Sequence, residues 1–394
     1  MNKKNFNSSI IILLAFSTIM LLLTIRISNA NQDLNLLWYY ETGDIIRQVS
    51  ISADGEYISV ASCDNKIYLF HRNSSIPLWT YTTGGEVSSV SISSDGKYLI
   101  AGSGDKGIYC FDRTSSVPIW IYNTTLPVKY VSFSPDGHYV AALSVGKVFI
   151  LNRSDGALIN SYYLSNLGGY EISISYEGAY IVTGITNTTY LIDKTNSTPI
   201  WSFSVDDDVI SVAISDNGKY IIMSNNNSKI YYFNRLNSVP IWEYTTGGPV
   251  WTADISSDGR FIVAGSYDYR IYFFENKSST PIWSYKTNSV LFSVDITPDA
   301  KYIAASGGSR IYFLNTNNTA VVYSYYVSAA LYSVALSCDG RYIVTGGYDH
   351  KIYLFNTQIT KTTIPAFNFA YILMIIAFLA LCYIHRLQKL KIKN

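Results

Sequence analysis

The sequence predicts an all-β protein: an eight-bladed β-propeller of four-stranded blades, closed by its own N-terminal strand and followed by one C-terminal transmembrane helix. Three observations carry that expectation. One segment recurs eight times at a spacing of 40 or 41 residues, and a period of about 40 built from short strands is that of a propeller blade. A tryptophan returns in the same slot of most copies. The last copy lacks its final strand, and a matching strand stands at the other end of the chain.

The clearest marker of each copy is a turn. It reads Asp54-Gly55, Asp95-Gly96, Asp136-Gly137, Glu177-Gly178, Asn217-Gly218, Asp258-Gly259, Asp299-Ala300 and Asp339-Gly340. Glycine accepts positive φ there, and Asp or Asn caps the turn locally. Two residues on stands an aromatic: Tyr57, Tyr98, Tyr139, Tyr180, Tyr220, Phe261, Tyr302 and Tyr342. Around the turn each copy divides into four runs, here labelled a to d from centre to rim. In the second copy they are VSSVSIS, KYLIAGS, GIYCF and IWIYN. The first alternates apolar and small polar residues, the period of a strand. All are short, rich in Ile, Val, Tyr and Trp, and bounded by Gly, Asn, Ser or Pro, as strands are.

Strand d carries Trp38, Trp79, Trp120, Trp201, Trp242 and Trp283 in one slot, with Asn160 and Tyr323 there in copies three and seven. A residue repeated in this way packs between blades. Copy eight stops after its third run, and LNLLWYYETG near the N-terminus supplies the fourth with Trp38 in register. That strand ties the ring shut and removes two exposed edges. Residues 31–356 are therefore expected to form one propeller domain, with 31–43 as the closing strand.

The flanks are apolar. Lys3 and Lys4 precede a run from Ile10 to Ile25, then Ser28-Asn29-Ala30, which is the layout of a signal peptide over residues 1–30; an uncleaved anchor is the alternative. Residues 366–384 are long enough to cross a bilayer of about 30 Å as a helix. Residues 357–365 are a short linker, and 385–394 form a basic tail with Arg386, Lys389, Lys391 and Lys393, a cytoplasmic signature. These features predict a single-pass plasma-membrane protein with its propeller outside the cell. Sequons at Asn73, Asn123, Asn152, Asn187, Asn196, Asn226, Asn276 and Asn317 are then glycosylation candidates, or else ordinary turn residues.

Between residues 31 and 361 acidic residues exceed basic ones, 28 to 22, which argues against a nucleic-acid surface. Cys63, Cys110, Cys338 and Cys382 show no zinc or disulfide spacing, and the four histidines are scattered, so no metal and no cofactor is expected. Chain connectivity sets the a–b and c–d turns toward the C-terminal segment and leaves the b–c and d–a loops as the ligand surface. Two features decorate that face. Lys66, Lys147, Lys229, Arg270, Arg310 and Lys351 stand just before strand c, with Asp64, Asp268 and Asp349 two residues ahead of three of them, as turn-stabilising pairs. The first residues of strand a vary from copy to copy: Arg47, Ser88, Lys129, Tyr170, Ile210, Trp251, Phe292 and Tyr332. The candidate ligand site is an aromatic arc of Tyr170, Trp251, Phe292 and Tyr332 facing Arg47 and Lys129. Such a surface suits sugars or extended peptides; packing between blades is the other use of those rings.

The copies SISSDGKYLIAGSGDKGIYCFD and DISSDGRFIVAGSYDYRIYFFE resemble WD40-type repeats, including an Asp at the b–c turn (Asp64, Asp105, Asp268, Asp349). The continuations SSVPIWIYNTT and STPIWSYKT are similar to the repeats of quinoprotein-like propellers. The Trp-Asp dipeptide of typical WD40 blades is absent, and Gly-His occurs once, as Gly137-His138 in an a–b turn and not at the start of a blade; the adjacent-cysteine pair and calcium ligands of quinoprotein dehydrogenases are absent too. The resemblance implies a non-catalytic propeller, here a membrane-anchored extracytoplasmic platform for protein or glycan partners. A quinone-dependent oxidoreductase or a surface lectin or adhesin are the alternatives. An enzyme needs clustered carboxylates at the channel mouth, and the variable slot holds none.

Overall fold

The computed structural model describes residues 34–358 except residue 166, and for residues 318–322 only the backbone. The segments expected over 1–30, 366–384 and 385–394 lie outside these residues. The chain divides into two units, residues 1–357 and 358–394, of which the first holds all the described strands. It is all β: eight four-stranded antiparallel sheets. Blade one runs Ile46–Ile51, Tyr57–Ser62, Lys66–His71 and Trp79–Thr82, and the others repeat that order. Blade eight has Leu331–Leu336, Tyr342–Gly347 and Lys351–Asn356, and takes Asn35–Glu41 as its fourth strand. Trp38 stands opposite Leu354 as Trp79 stands opposite Leu69, so the closing strand keeps the register of a strand d. Strand a of each blade packs on the next around the ring, and Leu331–Leu336 meets Ile46–Ile51 to complete it.

The core lies between blades. Strands b and c read as continuous buried runs because both their faces are covered, while the outer Trp79–Thr82 alternates half-buried and exposed. A typical cluster joins Ile46, Val49, Ile58 and Phe70 of blade one to Val344, Ile352 and Leu354 of blade eight. The repeated turn explains the repeated glycine and tyrosine together. Gly55 adopts φ 70°, and a Cβ there would lie 2.6 Å from the Tyr342 ring of the preceding blade. The Ser52 hydroxyl donates to Asp54 Oδ1 at 2.6 Å and accepts from the Tyr57 amide at 3.0 Å, which closes the turn locally. The same pair recurs at Ser93/Asp95, Ser134/Asp136, Ser256/Asp258 and Ser337/Asp339.

Tryptophan packs between blades and also bonds across them. Trp38 Nε1 donates to the Arg72 carbonyl at 2.6 Å, Trp79 to Arg113 at 2.8 Å, Trp120 to Arg153 at 2.7 Å and Trp201 to Arg235 at 2.8 Å. Each acceptor belongs to the following blade. Its guanidinium then reaches back over a tyrosine of the tryptophan's blade: Arg72 over Tyr342 at 5.0 Å, Arg113 over Tyr57 at 4.6 Å and Arg153 over Tyr98 at 3.9 Å. In copy three Asn160 Nδ2 takes over the tryptophan's bond, donating to the Lys194 carbonyl at 3.2 Å.

One expectation is corrected. Among the described residues no helix is long and apolar enough to cross a membrane. The plasma-membrane location with an outward propeller therefore has no structural basis and is withdrawn, together with the membrane-anchored form of the fold.

Candidate functional site

Seven of the eight variable strand-a residues line one cavity of about 390 Å³ at the end of the channel: Arg47, Ser88, Tyr170, Ile210, Trp251, Phe292 and Tyr332. Lys129 is not among the lining residues, and the next residue, Tyr130, supplies that stretch of wall. The rings of blades six to eight support one another. Trp251 stacks on Tyr267 of the b–c turn with centroids 5.2 Å apart. Phe292 meets Trp251 edge-on at 6.4 Å and Tyr332 at 5.5 Å. The two readings of the arc thus combine: the rings pack between blades and leave Trp251 36% exposed at the mouth. Tyr170 stands across blade five from them, 37% exposed, its hydroxyl donating to Asp208 Oδ2 at 2.9 Å. Arg47 is engaged already: Nε donates to Cys63 Sγ at 3.1 Å, and Nη2 lies 3.6 Å from Glu86 Oε2. Burial raises the Cys63 thiol despite that guanidinium.

Below the mouth is a feature that the sequence reading missed. Strand a is the inner edge of each sheet, so it has amides without a strand partner. Side chains of the preceding blade cap them. Val90 N–H donates to Gln48 Oε1 at 3.1 Å, Val131 to Ser89 Oγ at 3.0 Å, Val212 to Glu171 Oε2 at 3.0 Å, Ala253 to Ser211 Oγ at 3.0 Å and Val294 to Thr252 Oγ1 at 3.0 Å. Val334 donates to Ser293 Oγ at 3.2 Å and Val49 to Ser333 Oγ at 3.1 Å, which carries the ring past its closure. A second tier caps Ile92 with Ser50, Ile296 with Asp254 and Leu336 with Asp295. The signal was present in the small polar residues alternating along strand a; their partners lie about 41 residues away, beyond any local pattern.

The channel therefore does hold carboxylates, one and three residues beyond the slot. Burial raises the Glu171 carboxyl to about 7, against the lowering effect of Ser211 and the Val212 amide. Burial also holds Asp254 and Asp295 above the usual carboxylate range, and for Asp295 the neighbouring Asp254 charge adds to it.

The b–c turn aspartates work as stitches. Asp105 Oδ2 accepts from Tyr109 Oη at 2.6 Å and from the Gly84 amide at 2.6 Å, while Oδ1 accepts from the Gly107 amide at 2.9 Å. Asp64, Asp268 and Asp349 hold Tyr68, Tyr272 and Tyr353 likewise. This corrects the expected pairing with the following cation. Asp64 and Asp349 take the backbone amides of Lys66 and Lys351, and the cations reach outward: Lys351 Nζ lies 3.7 Å from Glu41, Lys229 Nζ 3.1 Å from Glu243, and Arg270 Nη1 donates to Ser284 at 2.9 Å. They form no ring at the mouth. Of the sequons, Asn73, Asn123, Asn187, Asn196, Asn226 and Asn317 are exposed, whereas Asn152 and Asn276 are half-buried. Cys63, Cys110 and Cys338 are free, and burial pushes the Cys110 thiol up to about 12. Among the described residues no cluster of His, Cys, Asp or Glu is arranged to hold a metal ion.

The model for the WD domain, G-beta repeat, matches residues 37–71, 75–112, 238–275 and 320–356. This chain contains WD repeats. The four matches end in the third strands of blades one, two, six and eight, the blades that carry Asp64, Asp105, Asp268 and Asp349. The quinoprotein-like half of the resemblance finds no support and is set aside. Among solved structures, the chain is similar to Sqt1 of Chaetomium thermophilum bound to the N-terminus of the ribosomal protein L10: 14% identity, TM-score 0.72, 82% of this chain and 100% of that one. Sqt1 of Saccharomyces cerevisiae is similar at 13% identity and TM-score 0.72, over 83% of this chain and 100% of that one. At such identity the likeness establishes the fold. No curated protein is matched by the sequence.

Proposed function

We propose that this propeller is a non-catalytic protein-binding module that takes its partner at the channel mouth lined by the starts of strand a. The supporting observation is the cavity itself, to which nearly every blade contributes the residue that varies most along an otherwise uniform repeat. A binding surface needs that variation and a scaffold does not. Half-exposed Trp251 braced by Tyr267 and Phe292 is the kind of rigid aromatic that anchors interfaces. The Sqt1 propeller, similar in fold, binds a protein N-terminus, which agrees with a protein rather than a glycan partner. The channel carboxylates do not favour an enzyme: each spends an oxygen capping a backbone amide, as serine does in other blades.

Random-peptide display on the wild-type protein, counter-selected on Trp251→Ala, tests this reading. Peptides retained by the wild type and released by the variant are expected. Peptides that bind both equally place the partner elsewhere and overturn it.

A further inference from the structure

In seven of eight positions of the upper capping tier the task is to accept one backbone N–H. Gln48, Ser89, Ser211, Thr252, Ser293 and Ser333 do so with neutral groups, and Glu171 alone brings a charge. The lower tier repeats the point: Ser50, Ser91 and Ser173 suffice in blades one, two and four, while Asp254 and Asp295 are acids. Capping does not require these charges.

Nor is any of them met by a cation. No ion pair among the described residues involves Glu171, Asp254 or Asp295, nor Asp206, Asp207 or Asp208 at the rim beside Tyr170. Arg47 on the cavity wall is committed to Glu86 and Cys63. Glu171 forms part of the cavity lining together with Tyr170, Trp251, Phe292 and Tyr332. A recess walled by aromatic faces with an unneutralised carboxyl in it complements one chemistry, an elongated cation with an apolar stem.

We propose that the mouth receives the side chain of an arginine or lysine from an extended segment of the partner protein, seated among these rings with Glu171 as its counter-charge. The proposal rests on the mouth being the binding site and adds the charge of what enters.

The carboxyl state supports it. Held near 7 by burial, Glu171 is largely protonated in the empty protein below neutrality and ionises as a cation approaches. The groups around it are Tyr130, itself close to Arg47 and Tyr170, with Asp254 below, Asp295 facing Asp254, and Asp208 behind Tyr170. His350 at the rim lies 3.8 Å from Asp44. Affinity for the cation therefore falls as pH drops from 8 to 6, and the Glu171 share of that fall is the part lost when Gln replaces its carboxyl.

The test uses the full-length protein and two probes, hexa-arginine amide and its hexa-citrulline counterpart, which keeps the shape and removes the charge. Titration calorimetry at pH 6, 7 and 8 is run on the wild type, Glu171→Gln, Trp251→Ala, and the controls Glu177→Gln and Tyr176→Ala in an a–b turn. Expected are binding of hexa-arginine at least about tenfold tighter than hexa-citrulline, a loss of about tenfold in Glu171→Gln with flattening of the pH dependence, and no change in the controls. If hexa-citrulline binds as tightly, or if Glu171→Gln binds as wild type, the cationic occupant is refuted; the mouth as a binding site survives provided Trp251→Ala still abolishes binding. Hexa-arginine bound equally by Trp251→Ala, or by no form at all, overturns the proposal as well.

Discussion

Truncating Trp38 to alanine tests whether the ring is held shut as the geometry indicates, with Trp79→Ala as its internal reference. Both indoles sit in the same slot, half-buried, each against a phenylalanine of the next blade: Trp38 with Phe70 at 5.5 Å, Trp79 with Phe111 at 5.2 Å. Each donates one bond to a carbonyl of that blade, Arg72 or Arg113. Removing a buried tryptophan costs about 3–5 kcal/mol, and partial exposure puts these sites near 3 kcal/mol, inclusive of the lost hydrogen bond of about 1 kcal/mol. For a domain of this size that is a fall in Tm of about 4 °C. The two variants differ in one respect. Trp79 lies on a strand continuous with the rest of its own sheet, whereas Trp38 lies on Asn35–Glu41, which joins Lys351–Asn356 from the far end of the chain. Hydrogen exchange should therefore accelerate in Trp38→Ala at the closing pair, including the Thr42 amide that donates to His350 O at 2.7 Å, and leave that pair untouched in Trp79→Ala. Urea unfolding followed by circular dichroism gives the energies. If both variants keep the wild-type midpoint, the indole bridge between blades carries no weight and the account of closure fails with it.

Two further outcomes follow from the same structure. Asp105→Asn keeps the shape but removes the charge that Tyr109 and the Gly84 and Gly107 amides address, and should lose about 2 kcal/mol at pH 7. Burial alone would raise the Asp105 carboxyl; the Tyr109 hydroxyl and those amides outweigh it and hold it below the usual range, so its contribution is present above about pH 4 and vanishes in more acid solution, where mutant and wild type should converge. Glu171 has the opposite sign. Its folded carboxyl lies at about 7, above the unfolded value, so the folded state gains from the proton at low pH and loses that gain between about pH 4.5 and 7. Glu171→Gln should accordingly be the more stable protein at pH 8, by up to about 3 kcal/mol, and show no advantage at pH 4; equal unfolding midpoints at pH 8 would sink the assignment.

The blade was legible because its marks are local. Asp54-Gly55 and Tyr57 fall within four residues, and the turn they build is closed by Ser52 next to them. Trp38 could be placed on blade eight because register is a matter of counting along the repeat. The variable slot could be found because a position that changes among uniform copies stands out, and nearly all of it lines one cavity. Lys129 is not in that lining because the slot gives a position on the strand, while the wall there is made by its neighbour Tyr130. What escaped is non-local. The Asp64 carboxylate takes the Gly43 amide, the Tyr68 hydroxyl and the backbone amide of Lys66, so adjacency in sequence suggested a charge pair where the bonds are to neutral donors. The capping tiers join residues of different blades, and Glu171 reads as an ordinary polar strand residue until Val212 is set beside it.

The distribution of stitches and charges around the ring separates holding from binding. Blades one, two, six and eight fasten their b–c turns with an aspartate–tyrosine bond. Blade four has no such stitch; Asn187 stands at its turn and its strand a carries Glu171. The single acid of the upper capping ring occurs in a blade without the aspartate stitch, whereas Asp254 of the lower ring lies in blade six, which has one. A glutamine or serine at 171 would cap Val212 equally and avoid burying an acid, so stability gives no reason for the carboxyl. A carboxyl that stability does not call for, placed in the wall of an aromatic-lined mouth, fits the proposed role of counter-charge to a cationic side chain of the partner.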